Sequence, residues 1–316
     1  MRYHNIDNRL FVENRRRLSE YLLPDSVVIL LSNDRMPTNA DGTLPFKQNS
    51  NLFYLTGIDQ EDSFLVFAPD HPSEKMRTQL FLKETNAHIA VWEGHKLSKS
   101  EGTVLSGIEE IHWSSHFEAS LKEVLTQCDH VYLYQNEHLR AKTNVQTANE
   151  RFTQKIKKDY ALHQFKRLAP LLYDLRMVKS DIEIDLIKEA CRITELGFRA
   201  VLPFVRPDIW EFEVEAEYSY HFLRNRATGF AYEPIIAGGA NTCVLHYTMN
   251  DQKLKSGDLL LMDVGANYGN YNADMTRTIP VSGKFSARQK QVYNAVLRVK
   301  NGATNLLRPG CLISEY

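Results

Sequence analysis

Leu259 to Val264 is apolar at every position but one, and the exception is Asp263. Such a run reads as a buried strand with one carboxylate inside it. The turn signal Asn267-Tyr268-Gly269-Asn270 follows, and a second extended run carries Asp274. The pattern predicts a β-hairpin. A loop of two or four residues centred on Tyr268 and Gly269 pairs Asn267 with Asn270 and Ala266 with Tyr271. That register sets Asp263 directly opposite Asp274 on one face, with Cβ atoms roughly 4.5–5.5 Å apart.

Two carboxylates facing each other in a largely buried hairpin repel, and burial adds the loss of their water. A shared proton, a basic partner or a bound cation each relieves this. Arg277 stands at odd separation from Asp274 and points to the other face. Oxygen ligands suit a hard divalent cation or a pair of them. The alternatives are a partly exposed hairpin with one solvated aspartate, or an odd-length loop that breaks the register.

The wording of this segment is more specific than its spacing. Asp263-Val264-Gly265-Ala266, Asp274-Met275-Thr276-Arg277-Thr278-Ile279-Pro280 and Gly283-Lys284-Phe285 together resemble the first metal-ligand block of the pita-bread metallopeptidases. The Thr-Arg-Thr-Ile-Pro run is most similar to the aminopeptidase P branch of that family. The resemblance implies that Asp263 and Asp274 are two of five protein ligands of a dinuclear site for divalent metal ions, manganese in that branch. A second, independent match lies upstream. The run from Phe46 to Gly57, with Trp92-Glu93-Gly94, resembles the non-catalytic amino-terminal domain of the same branch, which in relatives shapes the mouth of the site and the subunit contacts.

With 316 residues, 43% of them hydrophobic and 24% charged, the chain has material for two globular domains. A net charge of −1 gives no reason to expect a nucleic-acid or acidic-membrane partner. Cys128, Cys191, Cys243 and Cys311 form no CxxC pair and read as buried thiols in a reducing compartment. The start of the chain is polar and arginine-rich, without the apolar core of a secretory signal. No apolar run reaches the ~18 residues of a membrane span. A cytoplasmic protein is expected.

Along the chain, residues 9–23 have helical spacing, with Arg15-Arg16-Arg17 on the wet face. Ser26 to Leu31 reads as a buried strand. Ser63 to Phe67, Phe81-Leu82, His88 to Trp92 and Val131 to Tyr134 are further strand candidates, and Phe117 to Cys128 an amphipathic helix. This alternation indicates an α/β (α+β) fold, with an amino-terminal creatinase-type α/β domain over 1–175. The eight histidines before residue 150 read as surface or structural. Residues 137–180 look charged and broken.

The second domain, 176–316, is expected to be the first half of a pita-bread metallopeptidase domain. Ser180 with Glu183 forms a capping box for a helix over 181–201. A second helix over 209–226 carries Glu211, Glu213, Glu215 and Glu217, which spread around it as solvated residues. Residues 230–241 read as a strand entering a glycine turn, and Thr242 to Tyr247 as its return. His246 in that return is read as a core residue or, because it lies just ahead of the hairpin, as a site residue. The resemblance makes His246 a substrate or oxyanion hydrogen-bonder and Tyr232 part of the substrate pocket. A helix follows from Ser286 to about Leu307, with Val292, Tyr293, Val296, Leu297 and Val299 on its buried side.

Downstream of Asp274 there is no histidine, and the only acidic side chain is Glu315. The histidine and two glutamates that complete the family's site come from a later half of its fold. The chain therefore reads as part of a longer enzyme, or else as a short paralogue that covers its open face by oligomerising. The first functional expectation is a metal-dependent aminopeptidase that removes the N-terminal residue from peptides with proline in the second position, homodimeric or homotetrameric, with the 316-residue chain inactive by itself. Xaa-Pro dipeptidase activity and a non-catalytic binding or oligomerising role are the alternatives.

Overall fold

The computed structural model describes residues 2–141 and 144–316. Two compact units form, one over 3–184 and the other over 185–316.

The first unit contains helices α1 (Arg9–Ser19), α2 (Ser50–Thr56), α3 (Glu74–Arg77), α4 (Ala87–Glu93), α5 (Lys99–Ser106), α6 (Phe117–Leu125), α7 (Ala148–Asp159) and α8 (Ala169–Met177). Its strands are β1 (Ser26–Leu31), β2 (Phe64–Phe67), β3 (Thr78–Leu82), β4 (Glu110–Trp113), β5 (His130–Leu133) and β6 (Gln164–Arg167). They make one sheet in the order β4-β3-β2-β1-β5-β6. β1 is antiparallel to β2 and parallel to β5. Every residue of β1 is buried, as expected of a central strand covered on both faces. Val28 and Leu30 face a core with side chains of α1, α2, α5 and α8. Val27, Ile29 and Leu31 face another with α6 and α7.

Several expectations for this unit are corrected. His88 to Trp92 is helix, not strand, because the Asn86 side chain caps the His88 and Ile89 amides and no strand stands beside it. From Ala148 on, the stretch 137–180 is not broken. It holds α7, β6 and α8, and α7 opens with a capping box between Thr147 and Glu150. Arg15 is not on the wet face. It is buried and donates to the carbonyls of Leu55 (2.6 Å) and Ser106 (3.0 Å), and desolvation pulls its pKa down to about 10. Two neutral acceptors thus hold a charge that stays on at neutral pH. The first unit also runs past 175: Leu175 sits in its core, and the Arg176 guanidinium donates to the Asn51 carboxamide at 2.7 Å.

The expected capping box stands at the start of α9 (Asp181–Phe204): the Ser180 amide donates to Glu183 Oε2 at 2.9 Å and the Glu183 amide to Ser180 Oγ at 3.4 Å. The second unit continues with α10 (Glu211–Arg224), β7 (Gly229–Phe230), β8 (Ile235–Gly238), β9 (Leu259–Val264), β10 (Ala266–Tyr268), β11 (Tyr271–Asn272), β12 (Met275–Pro280) and α11 (Ala287–Leu306). Two three-stranded ladders result, β11-β10-β7 and β12-β9-β8. β9 is not buried on both sides. Leu260, Met262 and Val264 are buried, with Met262 Sδ 3.6 Å from the Tyr218 hydroxyl of α10, whereas Leu259, Leu261 and Asp263 are half-buried. α11 buries none of its residues: Val292, Val296, Leu297 and Val299 are exposed and Tyr293, beside Phe285, is half-buried. Of the four cysteines only Cys128 is buried, and all are free thiols.

Candidate metal centre

The hairpin exists, but its register differs from the expected one. Asn267 pairs with Asn272, Tyr268 with Tyr271, and Asp263 with Thr276. The turn is therefore Gly269-Asn270, both at positive φ (56° and 63°), the two-residue geometry that matches strand twist. Glycine and asparagine tolerate that conformation, and Tyr268 does not. The pairing moves by two residues, so Asp263 and Asp274 keep the same face but meet diagonally. Arg277 pairs with Met262, on the opposite face. Gly265 makes the join possible, because a Cβ there would lie 1.8 Å from the Ala273 carbonyl oxygen.

Tyr232, in the bend between β7 and β8, supplies a partner that none of the three expected remedies named. Its hydroxyl donates to Asp263 Oδ1 at 2.5 Å and lies 3.3 Å from Asp274 Oδ1. One phenol proton thus serves two carboxylates. Burial first, then the bond to Asp263, pushes the Tyr232 pKa well above the ordinary tyrosine value, so the hydroxyl stays protonated.

Tyr232, His246, Asp263 and Asp274 line one cavity of about 440 Å³, with Glu233, Ile235 and Thr248. Sequence reasoning passed over the last three. Asp263 is half-buried; Asp274 and His246 are exposed. His246 is not on a strand. Gly239 turns the chain at φ 56°, a 3₁₀ turn follows over Gly239–Cys243, and His246 sits in a further turn.

What holds that loop is Glu211, which was expected to be solvated and is fully buried. Its carboxylate accepts from the Gly238 amide (2.6 Å), the Gln252 amide (2.9 Å) and the Tyr247 hydroxyl (2.7 Å). Both ends of the segment carrying His246 and Thr248 are thereby tied to the start of α10. Glu215 and Glu213 are also engaged, by Asn250 Nδ2 (2.8 Å) and the Trp210 amide (2.7 Å). No helical periodicity signals the roles of Glu211 and Glu215, because their donors lie roughly thirty to forty residues downstream; the Trp210–Glu213 contact is a local cap.

The donor set is two carboxylates and a phenol on an open sheet face. That chemistry fits part of the oxygen shell of a hard divalent cation. Among the described residues no group of three or more His, Cys, Asp or Glu side chains converges in a way that would hold a metal.

The two-unit architecture and the carboxylate hairpin define a class of metallopeptidase, and comparison with known proteins agrees. Residues 11–134 match the aminopeptidase P N-terminal domain and residues 185–316 match metallopeptidase family M24. The chain is 32% identical over 305 residues to the Xaa-Pro aminopeptidase of Haemophilus influenzae, covering 96% of this chain and 68% of that one. Against the Xaa-Pro aminopeptidase of Escherichia coli it is 29% identical over 311 residues, 98% of this chain and 70% of that one. The structure of Pseudomonas aeruginosa aminopeptidase PepP superposes with a TM-score of 0.87 at 26% identity, over 97% of this chain and 69% of that one. The chain belongs to the aminopeptidase P branch of metallopeptidase family M24.

Proposed function

We propose that this chain carries the amino-terminal domain and part of the catalytic domain of a manganese-dependent enzyme that removes the N-terminal residue preceding proline. The observation that supports it most is the pair Asp263 and Asp274 on one face of the hairpin, sharing the Tyr232 hydroxyl above one cavity. Asp263 and Asp274 would hold the cation. When bound, a divalent ion supplies Lewis-acid polarisation of a carbonyl. Tyr232, neutral and anchored to both carboxylates, fixes their orientation and lines the substrate cavity. His246, exposed at the cavity rim, is placed to hydrogen-bond a peptide or a developing oxyanion. Proline-containing peptides as substrate, a homodimeric or homotetrameric assembly and a cytoplasmic location belong to the same reading. Among the described residues no helix is long and apolar enough to cross a membrane.

Two carboxylates are a small part of a dinuclear shell, so the 316-residue chain is expected to be inactive by itself. Manganese titration followed by electron paramagnetic resonance should show weak binding that Asp263→Asn or Asp274→Asn removes. Incubation with an Xaa-Pro-containing peptide and manganese should release no amino acid. Manganese binding indifferent to both substitutions, or turnover by the chain alone, would refute the reading.

A further inference from the structure

The first unit contains a cavity of about 450 Å³ that the metal centre does not explain, and its position in the sheet is informative. β1 and β5 are adjacent and parallel. After β1 the chain crosses to α2, whose Leu52 and Leu55 pack on the face of Val28 and Leu30. After β5 it crosses to α7, whose Phe152 and Ile156 pack on the opposite face, with Val27 and Ile29. Helices leaving neighbouring parallel strands toward opposite faces open a crevice beyond the strand ends, where open α/β sheets bind ligands. The cavity lies there. Asn33 and the segment 47–51 follow β1, Tyr134, Gln135, Asn136 and His138 follow β5, and Thr147 and Asn149 open α7.

Its lining has one chemistry. Seven of the lining side chains are carboxamides, Lys47, His138 and Arg176 are basic, and no lining residue is a carboxylate. Arg176 is held by neutral groups, the Asn51 carboxamide at 2.7 Å and the face of Tyr54 at 5.5 Å. The guanidinium is thus oriented at the edge of the cavity. The carboxamide walls are fixed as well. Asn149 exchanges hydrogen bonds with the Leu31 backbone (3.3 and 3.2 Å), and Gln48 Nε2 donates to the carbonyls of Ile58 (3.1 Å) and Gln60 (2.8 Å). Pre-fixed polar walls are what a binding site needs and what a merely filled gap does not. The volume falls within the usual range for small-ligand sites.

We propose that this crevice is a second binding site, in the non-catalytic unit, for a small hydroxylated anion. Arg176 would receive the phosphate or carboxylate, and the exposed carboxamides Gln135 and Asn136 would receive its hydroxyl groups, since an amide both donates and accepts.

Isothermal titration of the chain at constant ionic strength with glycerol 3-phosphate, with malate, and with glycerol as the neutral control tests this. One of the two anions should bind with a Kd below about 1 mM, and glycerol should not. Binding of glycerol 3-phosphate alone assigns a phosphate ligand, and binding of malate alone a carboxylate. Arg176→Gln should weaken the bound anion at least tenfold. Gln135→Glu changes an exposed lining residue and adds a negative charge, so it should weaken binding at least fivefold even if the arginine variant fails to fold. No binding of either anion, or binding that Gln135→Glu leaves unchanged, overturns the proposal.

Discussion

Replacing Glu211 with alanine removes the acceptor that ties the loop carrying His246 to α10. Three close bonds are lost, from the Gly238 and Gln252 amides and from the Tyr247 hydroxyl, which keeps Asp251 at 3.3 Å, along with a long one from Asn241 Nδ2 at 3.5 Å. A hydrogen bond to a charged group is worth about 1.5–3 kcal/mol, so three at the lower end total about 4–5 kcal/mol. Tyr247 is half-buried, so water reaches it once the loop loosens and returns part of that loss. The expected destabilisation of the second unit is about 3–4 kcal/mol. Glu211→Gln keeps the shape but turns an amide NH2 toward donors, and should cost about 1–3 kcal/mol. Trp210 precedes Glu211, and the other two tryptophans, Trp92 and Trp113, lie in the first unit. Urea unfolding followed by fluorescence, in a background with Trp92→Phe and Trp113→Phe, therefore reports on the second unit. A loss under 1 kcal/mol for the alanine variant would show that the carboxylate does not hold the loop.

Gly265→Ala should separate β9 from the strand that carries Asp274: relieving 1.8 Å to an ordinary 3.4 Å contact needs a 1.6 Å backbone shift. Destabilisation at the upper end of the overpacking range, about 3 kcal/mol, and faster amide exchange at Ala273 are expected. Arg15→Lys should cost about 1–2 kcal/mol in thermal unfolding, because one ammonium does not span the Leu55 and Ser106 carbonyls as the guanidinium fork does. Burial pushes the Cys128 thiol up to about 11, so iodoacetamide at pH 8 should modify exposed Cys191 and Cys243 first and Cys128 only on unfolding. The sign of its pH dependence follows. The folded state keeps the proton that the unfolded thiol releases near 9, so this stabilising contribution is full below that pH and is lost as pH rises toward 11.

The alternation of apolar runs in the first unit made its sheet legible, and Asp263 and Asp274, set by spacing, stand around one cavity with Tyr232 and His246, which only the resemblance put at a substrate pocket. Most of what was not legible depended on partners distant in sequence. The glutamates of α10 alternate at a spacing that points nowhere on a helix, and Glu211 is buried only because a loop folds back onto it. Ile89 to Trp92 has strand composition, but capping by Asn86 and the lack of a neighbouring strand make it helix. Arg15 has the composition of a surface residue, and its carbonyl acceptors come from α2 and α5. His112 and His116, four apart, read as surface or structural; His112 packs on Phe81 at 5.5 Å. The apolar residues of α11 were assigned a buried side from periodicity alone, which tells that a helix has an apolar stripe but not that anything covers it.

The Gly269-Asn270 turn bears on how this segment can change in length. Successive side chains of a strand alternate faces, so the number of residues between Asp263 and Asp274 decides whether both carboxylates reach the same cavity. Adding or removing an even number in the loop preserves that arrangement, as the two-residue difference between the expected and observed pairings illustrates. A single insertion or deletion sends Asp274 to the face of Arg277, unless a bulge absorbs it. The loop is thus constrained twice, by residues that accept positive φ at its two turn positions and by a length whose parity decides which face Asp274 occupies.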